Sequence, residues 1–202
     1  MTQISVNPIF HADLLIRAQK HVERGELESA ESLLLELVKE EAARPNGERM
    51  LRALVLLGEV YEGLGRAADT GALLASYDLH ALDEYPSHLR GLLLLAFGSH
   101  AYSQNEFSRS VTLLNRAREI LEPTGDTTHL ARVHHCLGRT YWALDEQSLA
   151  REQYELAIEW GRRARKDRAL ALTYMNLGLV ARHEGDLDEA GMCYRRALRL
   201  LR

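Results

Sequence analysis

The sequence has few of the residues that interrupt or cross-link a polypeptide chain. Its 202 residues include only four prolines and two cysteines. So few prolines argue against a proline-rich linker protein, and two cysteines are too few for a disulfide framework. Both Cys136 and Cys193 lie within helical patterns, so we expect them to be small buried hydrophobic residues.

A strong excess of one charge is also absent. The formal net charge is −4, and the chain contains only three lysines, at positions 20, 39 and 166. This balance argues against a nucleic-acid-binding surface. The longest apolar run, residues 92–97, is far shorter than the roughly 20 residues that cross a bilayer. The first ten residues lack the features of a secretory signal. We therefore expect a cytoplasmic protein that binds neither nucleic acid nor membrane.

What the sequence does contain is a 40-residue repeat. Glycines recur at positions 58, 98, 138 and 178, and the small residue Ala18 extends the series backwards. Seven residues after each of these anchors stands a residue that tolerates the left-handed backbone conformation found at helix ends. These five residues are Gly25, Gly65, Asn105, Asp145 and Gly185. Small residues 12 positions after most anchors would let a second helix pack closely against the first. Each repeat therefore predicts a helix, a short turn and an antiparallel helix.

The prolines fit this division of the chain. Pro8 comes before the first predicted helix, and Pro45, Pro86 and Pro123 fall between repeats. Inside a helix, each would cost about 3 kcal/mol. The fourth junction has no proline, and we expect a very short turn there near Lys166.

Repeats four and five carry the most specific pattern. They contain the strings HHCLGRTY (residues 134–141) and YMNLG (residues 174–178), each followed by a spaced Ala, Tyr and Ala. These strings resemble tetratricopeptide repeats, and the resemblance covers roughly residues 11–202. The period of 40 is similar to that of a longer-helix subgroup, which includes kinesin light chains, spindle-orientation adaptors and Rap-type bacterial regulators. Armadillo and HEAT repeats have similar lengths, but the small–aromatic–small signature favours the tetratricopeptide interpretation.

This resemblance implies an all-α fold. We expect a right-handed solenoid of five helix-turn-helix repeats, with about ten antiparallel helices. Residues 1–10 would be an N-terminal extension, and residues 11–202 would form one solenoid. Its repeats would span about 11–50, 51–90, 91–130, 131–170 and 171–202.

The resemblance also implies that the first helix of each pair lines a concave face. The stripe on that face contains Arg52, Glu59 and Glu62 in repeat two, Leu92, Leu95 and Tyr102 in repeat three, Arg132, His135, Arg139 and Trp142 in repeat four, and Leu172, Met175, Leu179 and Arg182 in repeat five. Arginine and aromatic residues are favoured in interaction hot spots, and arginine can hold a carboxylate through two hydrogen bonds. The candidate residues for binding a peptide or partner are Arg132, His135, Arg139, Trp142, Tyr102, Asn176, Arg182, Glu59 and Glu62. An alternative interpretation is a solvated groove wall with arginine stacked on tryptophan.

Charge is distributed unevenly along the chain. Residues 1–101 contain nine basic and 15 acidic residues, whereas residues 102–202 contain 16 and 14. A groove that is acidic near Glu59 and Glu62 and basic near Arg132 and Arg139 would orient a polar peptide. The resemblance implies that Asn176 contacts a peptide backbone. The other repeats lack this Asn, so we do not predict binding to a chaperone C-terminal tail.

Motifs for catalysis and cofactors are missing from the sequence. There is no HExxH, CxxC, GxxxxGK[ST] or GxSxG. The consecutive residues His134, His135 and Cys136 point in different directions on a helix. We therefore predict no enzyme activity, no catalytic residue, no metal and no cofactor.

Two functional hypotheses remain. The first is a scaffold that binds a peptide or partner helix in the concave groove. The second is a ligand- or peptide-sensing domain of a larger bacterial signalling or transcriptional regulator, suggested because the chain stops within a predicted helix without a polar cap. The uncapped end, with Leu198 and Leu201, also makes a homodimer plausible.

Overall fold

A computed structural model of the chain describes residues 8–42, 47–74 and 86–202. Two compact units, residues 1–82 and 83–202, are described separately. The described helices of the first unit are α1 (Pro8–Arg24), α2 (Leu27–Glu41), α3 (Glu48–Gly63) and α4 (Ala67–Leu74). Those of the second unit are α5 (Ser87–Ser103), α6 (Phe107–Leu121), α7 (Thr127–Ala143), α8 (Gln147–Ala164), α9 (Asp167–His183) and α10 (Leu187–Leu200). The predicted all-α fold of helix pairs is confirmed over these residues.

The turn within each helix pair has the same backbone geometry. All five residues predicted to be left-handed have positive φ, namely Gly25 (76°), Gly65 (72°), Asn105 (62°), Asp145 (65°) and Gly185 (87°). The amide after each of them donates to a carbonyl five residues earlier, at 2.7–2.9 Å, on His21, Tyr61, Ala101, Tyr141 and Ala181. This bond satisfies a carbonyl that the helix end would otherwise leave unpaired. The 40-residue repeat of the sequence is therefore a repeat of one helix-ending motif.

The repeated glycines lie where the two helices of a pair come closest. A Cβ atom added at Gly138 would lie 2.6 Å from the Tyr154 ring, and one at Gly178 would lie 2.6 Å from the Tyr194 ring. At Gly98 it would lie 2.7 Å from Leu114. Gly58 differs, because its nearest neighbour would be the Thr70 methyl group at an ordinary 3.5 Å. Three of the four anchors therefore leave no room for a side chain.

The junctions between repeats follow the predicted punctuation. α1 begins at Pro8 itself, where the missing amide hydrogen is not needed. Pro86 caps α5, and Pro123 lies in a short 3-10 turn between α6 and α7. Pro45 lies outside the described residues. The predicted short turn between α8 and α9 is confirmed, because only Arg165, in a left-handed conformation, and Lys166 separate the two helices.

Both cysteines are buried and unpaired with each other, as expected for small core residues. The Cys136 sulfur lies 3.3 Å from the Ser99 hydroxyl of α5. Burial raises the pKa of the Cys193 thiol. A raised pKa lowers the thiolate fraction, so Cys193 has the character of a packing residue and not of a nucleophile.

Candidate functional site

The predicted stripe of repeat four lies along one side of α7. Its members Arg132, His135, Arg139 and Trp142 are all half-buried. They are spaced three, four and three residues apart, which places them on one helical face. Each side chain thus keeps part of its surface in solvent while the rest packs against neighbouring helices.

Arg139 packs against Tyr102 of α5. Its guanidinium carbon lies 4.4 Å from the centre of the Tyr102 ring. This is within the range in which a cation is attracted to the face of an aromatic ring. This contact holds the Arg139 guanidinium over the Tyr102 ring. The alternative interpretation expected arginine to stack on tryptophan. For Arg139 this is wrong, because the ring beneath its guanidinium belongs to Tyr102.

Trp142 meets His183 of α9. Their ring centres are 5.4 Å apart, and the rings are nearly perpendicular at 85°. Such edge-to-face pairs are favourable between aromatic rings. His183 was not predicted as a site residue. Its position directly after Arg182 was the only signal in the sequence that it could join this cluster.

His135 contacts side chains of two neighbouring helices. Its Nδ1 lies 3.0 Å from the Thr173 hydroxyl oxygen of α9. Thr173 uses its own hydrogen to donate to the Ala169 carbonyl, also at 3.0 Å. The imidazole must therefore donate from Nδ1. The His135 ring also packs edge-on against Tyr154, at 5.9 Å. His135 thus contacts both α8 and α9.

α9 presents an apolar stripe to solvent. Leu172, Met175 and Leu179 are 50%, 44% and 37% exposed. Arg182, which continues the same face, is exposed. Asn176, which directly follows Met175, is half-buried. Large apolar side chains that gather on one exposed face mark interaction surfaces in soluble proteins. The sequence placed these three residues on the predicted stripe but did not select them as candidates.

The corresponding stripe on α5 differs from the prediction. Leu92 and Leu95, expected on the groove face, are only 3% and 1% exposed. Every residue from Gly91 to Gly98 on this helix is buried. A helix that is apolar all round is buried all round. Leu92 and Leu95 therefore belong to the core. Tyr102, at the end of the same stripe, is half-buried and keeps part of its side chain in contact with solvent.

The two acidic candidates lie in the first unit. Glu59 and Glu62 are both half-buried on α3. Arg52, about two turns before Glu59 on the same predicted stripe, forms a 2.7 Å ion pair with Glu48. The charge gradient between these glutamates and the basic residues of α7 remains a prediction.

A second polar cluster, which the sequence analysis missed, lies at the starts of α5 and α7. The Asp126 Oδ2 atom accepts hydrogen bonds from His88 Nε2 at 2.8 Å and His129 Nδ1 at 2.7 Å. Burial opposes ionisation of Asp126, but the hydrogen bonds from both histidines hold its pKa well below the usual range. His88 lies 38 residues before Asp126, so the only sequence signal was that both residues stand at the start of equivalent helices.

The comparisons with known proteins concern both the repeats and the fold. The family model for the tetratricopeptide repeat matches residues 131–160 and 171–200. These are the two repeats that showed the most specific pattern in the sequence. No relative is found among curated protein sequences.

Three solved structures are similar in fold over most of this chain. Nearly identical tetratricopeptide-like repeats ascribed to a Podosopora anserina kinesin light chain match with a TM-score of 0.60 and 17% identity, over 96% of each chain. BtubC from P. vanneervenii matches with a TM-score of 0.63 and 19% identity, over 93% of this chain and 78% of that one. The apo form of RapI matches with a TM-score of 0.63 and 17% identity, over 94% and 69%. At such identities the likeness is one of fold alone. In the part of the chain that is described, no helix is both long and apolar enough to span a membrane.

Proposed function

We propose that this chain, two of whose repeats match the family model for the tetratricopeptide repeat, is a non-enzymatic scaffold whose α7 and α9 surface binds a peptide or partner helix. Proteins of this repeat family mediate protein–protein interactions in general. The observation that carries the proposal is the exposed apolar stripe of Leu172, Met175 and Leu179. We call the stripe, together with Arg132, His135, Arg139 and Trp142 of α7, the α7/α9 face.

The stripe has a spacing that suits the docking of a helical peptide. Its three residues stand at positions i, i+3 and i+7, so they span about 10 Å along α9. Peptide helices that dock in grooves use anchor residues with the same spacing. Burying three such side chains against a partner removes apolar surface from water, at about 25 cal/mol for each Å². The occupant should therefore present apolar side chains to α9.

The basic residues indicate the charge of the occupant. Arg139 lies over the Tyr102 ring, Arg132 also lies on α7, and Arg182 lies on α9. Arginine binds carboxylates through paired hydrogen bonds. An occupant with acidic side chains beside its apolar anchors would satisfy both parts of the α7/α9 face. Asn176 has an amide that could pair with the peptide backbone of such a segment.

The chain contains a matched control for this proposal. On α8, Arg163 lies over Trp160 at 4.7 Å from the ring centre. This pair has the same residue types as Arg139 and Trp142, but it lies outside the proposed face. An Arg139→Glu/Trp142→Ala variant can therefore be compared with Arg163→Glu/Trp160→Ala, and a Met175→Glu/Leu179→Glu variant would test the apolar stripe alone.

The experiment is a quantitative pull-down from lysate with the wild type and these three variants. We expect one species to be retained by the wild type and the α8 variant and lost by both variants of the α7/α9 face. Circular dichroism should show unchanged helicity in all four proteins. Retention of the same species by the α7/α9 variants would place binding elsewhere.

The sensing domain of a larger bacterial regulator is the second candidate function. It is supported by the likeness of fold to RapI. A signalling peptide could use the same face, whereas a small molecule would need an enclosed site. One cavity among the described residues, between α8, α9 and α10, has a volume of about 280 Å³, slightly below the usual range of about 300–1,000 Å³ for ligand pockets. A bound signalling peptide would be identified by mass spectrometry of the retained fraction.

Three further expectations stay predictions. Homodimerisation would use α10 and its end, where Leu198 and Leu201 are exposed. Light scattering of the purified chain at several concentrations would test it. A cytoplasmic location and a role in signalling would be tested by identifying the partner.

A further inference from the structure

Three metal-ligand side chains meet where α5 and α7 begin. His88 is the second residue of α5, Asp126 caps α7, and His129 is the third residue of α7. One donor atom from each lies within 4.8 Å of the other two. All three residues are half-buried, with side chains 32%, 20% and 24% exposed, so an ion could reach them from solvent.

The carboxylate is held in place by the turn that precedes α7. Asp126 Oδ1 accepts the hydrogen bond that caps the helix, from the His129 amide at 3.1 Å. The Asp126 amide donates to the Thr124 hydroxyl at 3.3 Å, and that hydroxyl donates to the Leu121 carbonyl at 2.6 Å. These contacts orient Oδ2 toward both imidazoles. Such fixed orientation of a ligand by its surroundings is typical of metal sites.

The residue types match one class of ion. Two imidazole nitrogens with one carboxylate oxygen form a ligand set that suits Zn²⁺ and related divalent transition metals. Ligand bonds of about 2.0–2.2 Å in a tetrahedral site would place the donor atoms about 3.3–3.6 Å apart. The present N–O distances of 2.8 and 2.7 Å would have to open by roughly 0.5–0.9 Å, which side-chain rotation can supply.

From this geometry we propose that His88, Asp126 and His129 bind one Zn²⁺ ion. His88 Nε2, His129 Nδ1 and Asp126 Oδ2 would be the ligands. Each neutral imidazole would carry its hydrogen on the nitrogen that faces away from the ion. Three protein ligands leave a fourth position for water or for a donor from a bound partner.

The proposed zinc site lies at one end of the α5 and α7 stripes. His129 is three residues before Arg132, and His88 is four residues before Leu92, so each continues the helical face of its stripe. The distance along α7 from His129 to Trp142 is about 20 Å. All three proposed ligands belong to this chain, so zinc binding can be tested without a partner.

The test is calorimetric titration of the metal-stripped full chain with ZnCl₂ at neutral pH. We expect one equivalent to bind, with affinity reduced more than about tenfold in His88→Ala and His129→Ala. Asp126→Asn keeps an oxygen that can cap α7 but removes the charge, so it should also weaken binding while remaining folded. Titration with Co²⁺ would add a readout of geometry, because tetrahedral Co²⁺ absorbs strongly in the visible range.

The matched control is His21→Ala. His21 pairs with Glu26 at 2.5 Å in the first unit, and it would show whether a lone histidine–carboxylate pair accounts for the signal. The proposal is supported if this variant binds Zn²⁺ like the wild type while the three cluster variants do not. It is overturned if the wild type shows no saturable binding of one equivalent. Equal affinity in the wild type and the folded Asp126→Asn, His88→Ala and His129→Ala variants would overturn it as well.

Discussion

Replacement of Gly138 by alanine offers a direct test of how closely α7 and α8 pack. The added Cβ would lie 2.6 Å from Cε1 of Tyr154, whereas carbon atoms pack best at about 3.5–4.0 Å. Tyr154 is only 2% exposed, so its ring has little room to move away. Overpacking of this kind typically costs about 1–3 kcal/mol.

The substitution also has a favourable part, which a control must remove. Alanine is about 1 kcal/mol better than glycine inside a helix. Gly191→Ala in α10 makes the same change in the same unit, but its nearest neighbour is the end of the exposed Arg195 side chain at 3.2 Å. The gain in helix propensity cancels when the two variants are compared. We therefore expect Gly138→Ala to be about 1–3 kcal/mol less stable than Gly191→Ala.

Urea denaturation followed by tryptophan fluorescence would measure this difference. The only two tryptophans, Trp142 and Trp160, are in the second unit, so the signal reports on the unit that carries both substitutions. In a Tyr154→Ala background the penalty at Gly138 should disappear, since the two residues act through one contact. If Gly138→Ala proved as stable as Gly191→Ala, close approach of the two helices would not explain the repeated glycine.

Two further predictions concern single residues of the second unit. Arg165 has a left-handed backbone with φ of 54°, which costs a residue other than glycine about 1–2 kcal/mol. Arg165→Gly should therefore raise the thermal midpoint of unfolding, whereas Arg165→Ala should not. Equal midpoints for these two variants would contradict the idea that the backbone at Arg165 is strained. The other prediction concerns His134, which is buried and whose Nδ1 donates to the Gln153 Oε1 atom at 2.8 Å. Burial lowers the pKa of His134, while the hydrogen bond to Gln153 opposes that effect. Below the ordinary histidine pKa of about 6.5, the unfolded chain therefore binds more protons than the folded chain, and stability should fall as the pH is lowered through this window. Urea titrations across mildly acidic pH should show a shallower dependence in His134→Gln, and identical slopes would refute a buried neutral His134.

Much of the fold was predictable because its signals are local. The left-handed residues of the turns, such as Asn105 and Asp145, end helices by their own backbone preferences. The anchor glycines follow from the need for two adjacent helices to approach. Each of these features requires only residues within one repeat, and a fixed spacing in the sequence displays them directly.

The candidate site was predicted less completely, because the exposure of a side chain depends on which other parts of the chain pack against its helix face. Equivalent stripe positions on α5 and α9 hold apolar residues in both cases, yet Leu92 and Leu95 are buried and Leu172 and Met175 are exposed. The helical period gives the face on which a residue lies, but it does not say whether that face is covered. Tyr102 under Arg139 and His183 against Trp142 likewise join residues of different repeats.

The sequence by itself determined the helices, their pairing and the turns that end them, since those depend on backbone preference and packing between near neighbours. The tertiary structure decided which side chains meet across repeats. It brought His88 to Asp126 and His129 over 38 residues of sequence, and it left the α9 stripe open to solvent. The physical reason is that stacking sets neighbouring first helices side by side. Residues at similar heights on successive helices then become neighbours whatever their distance along the chain.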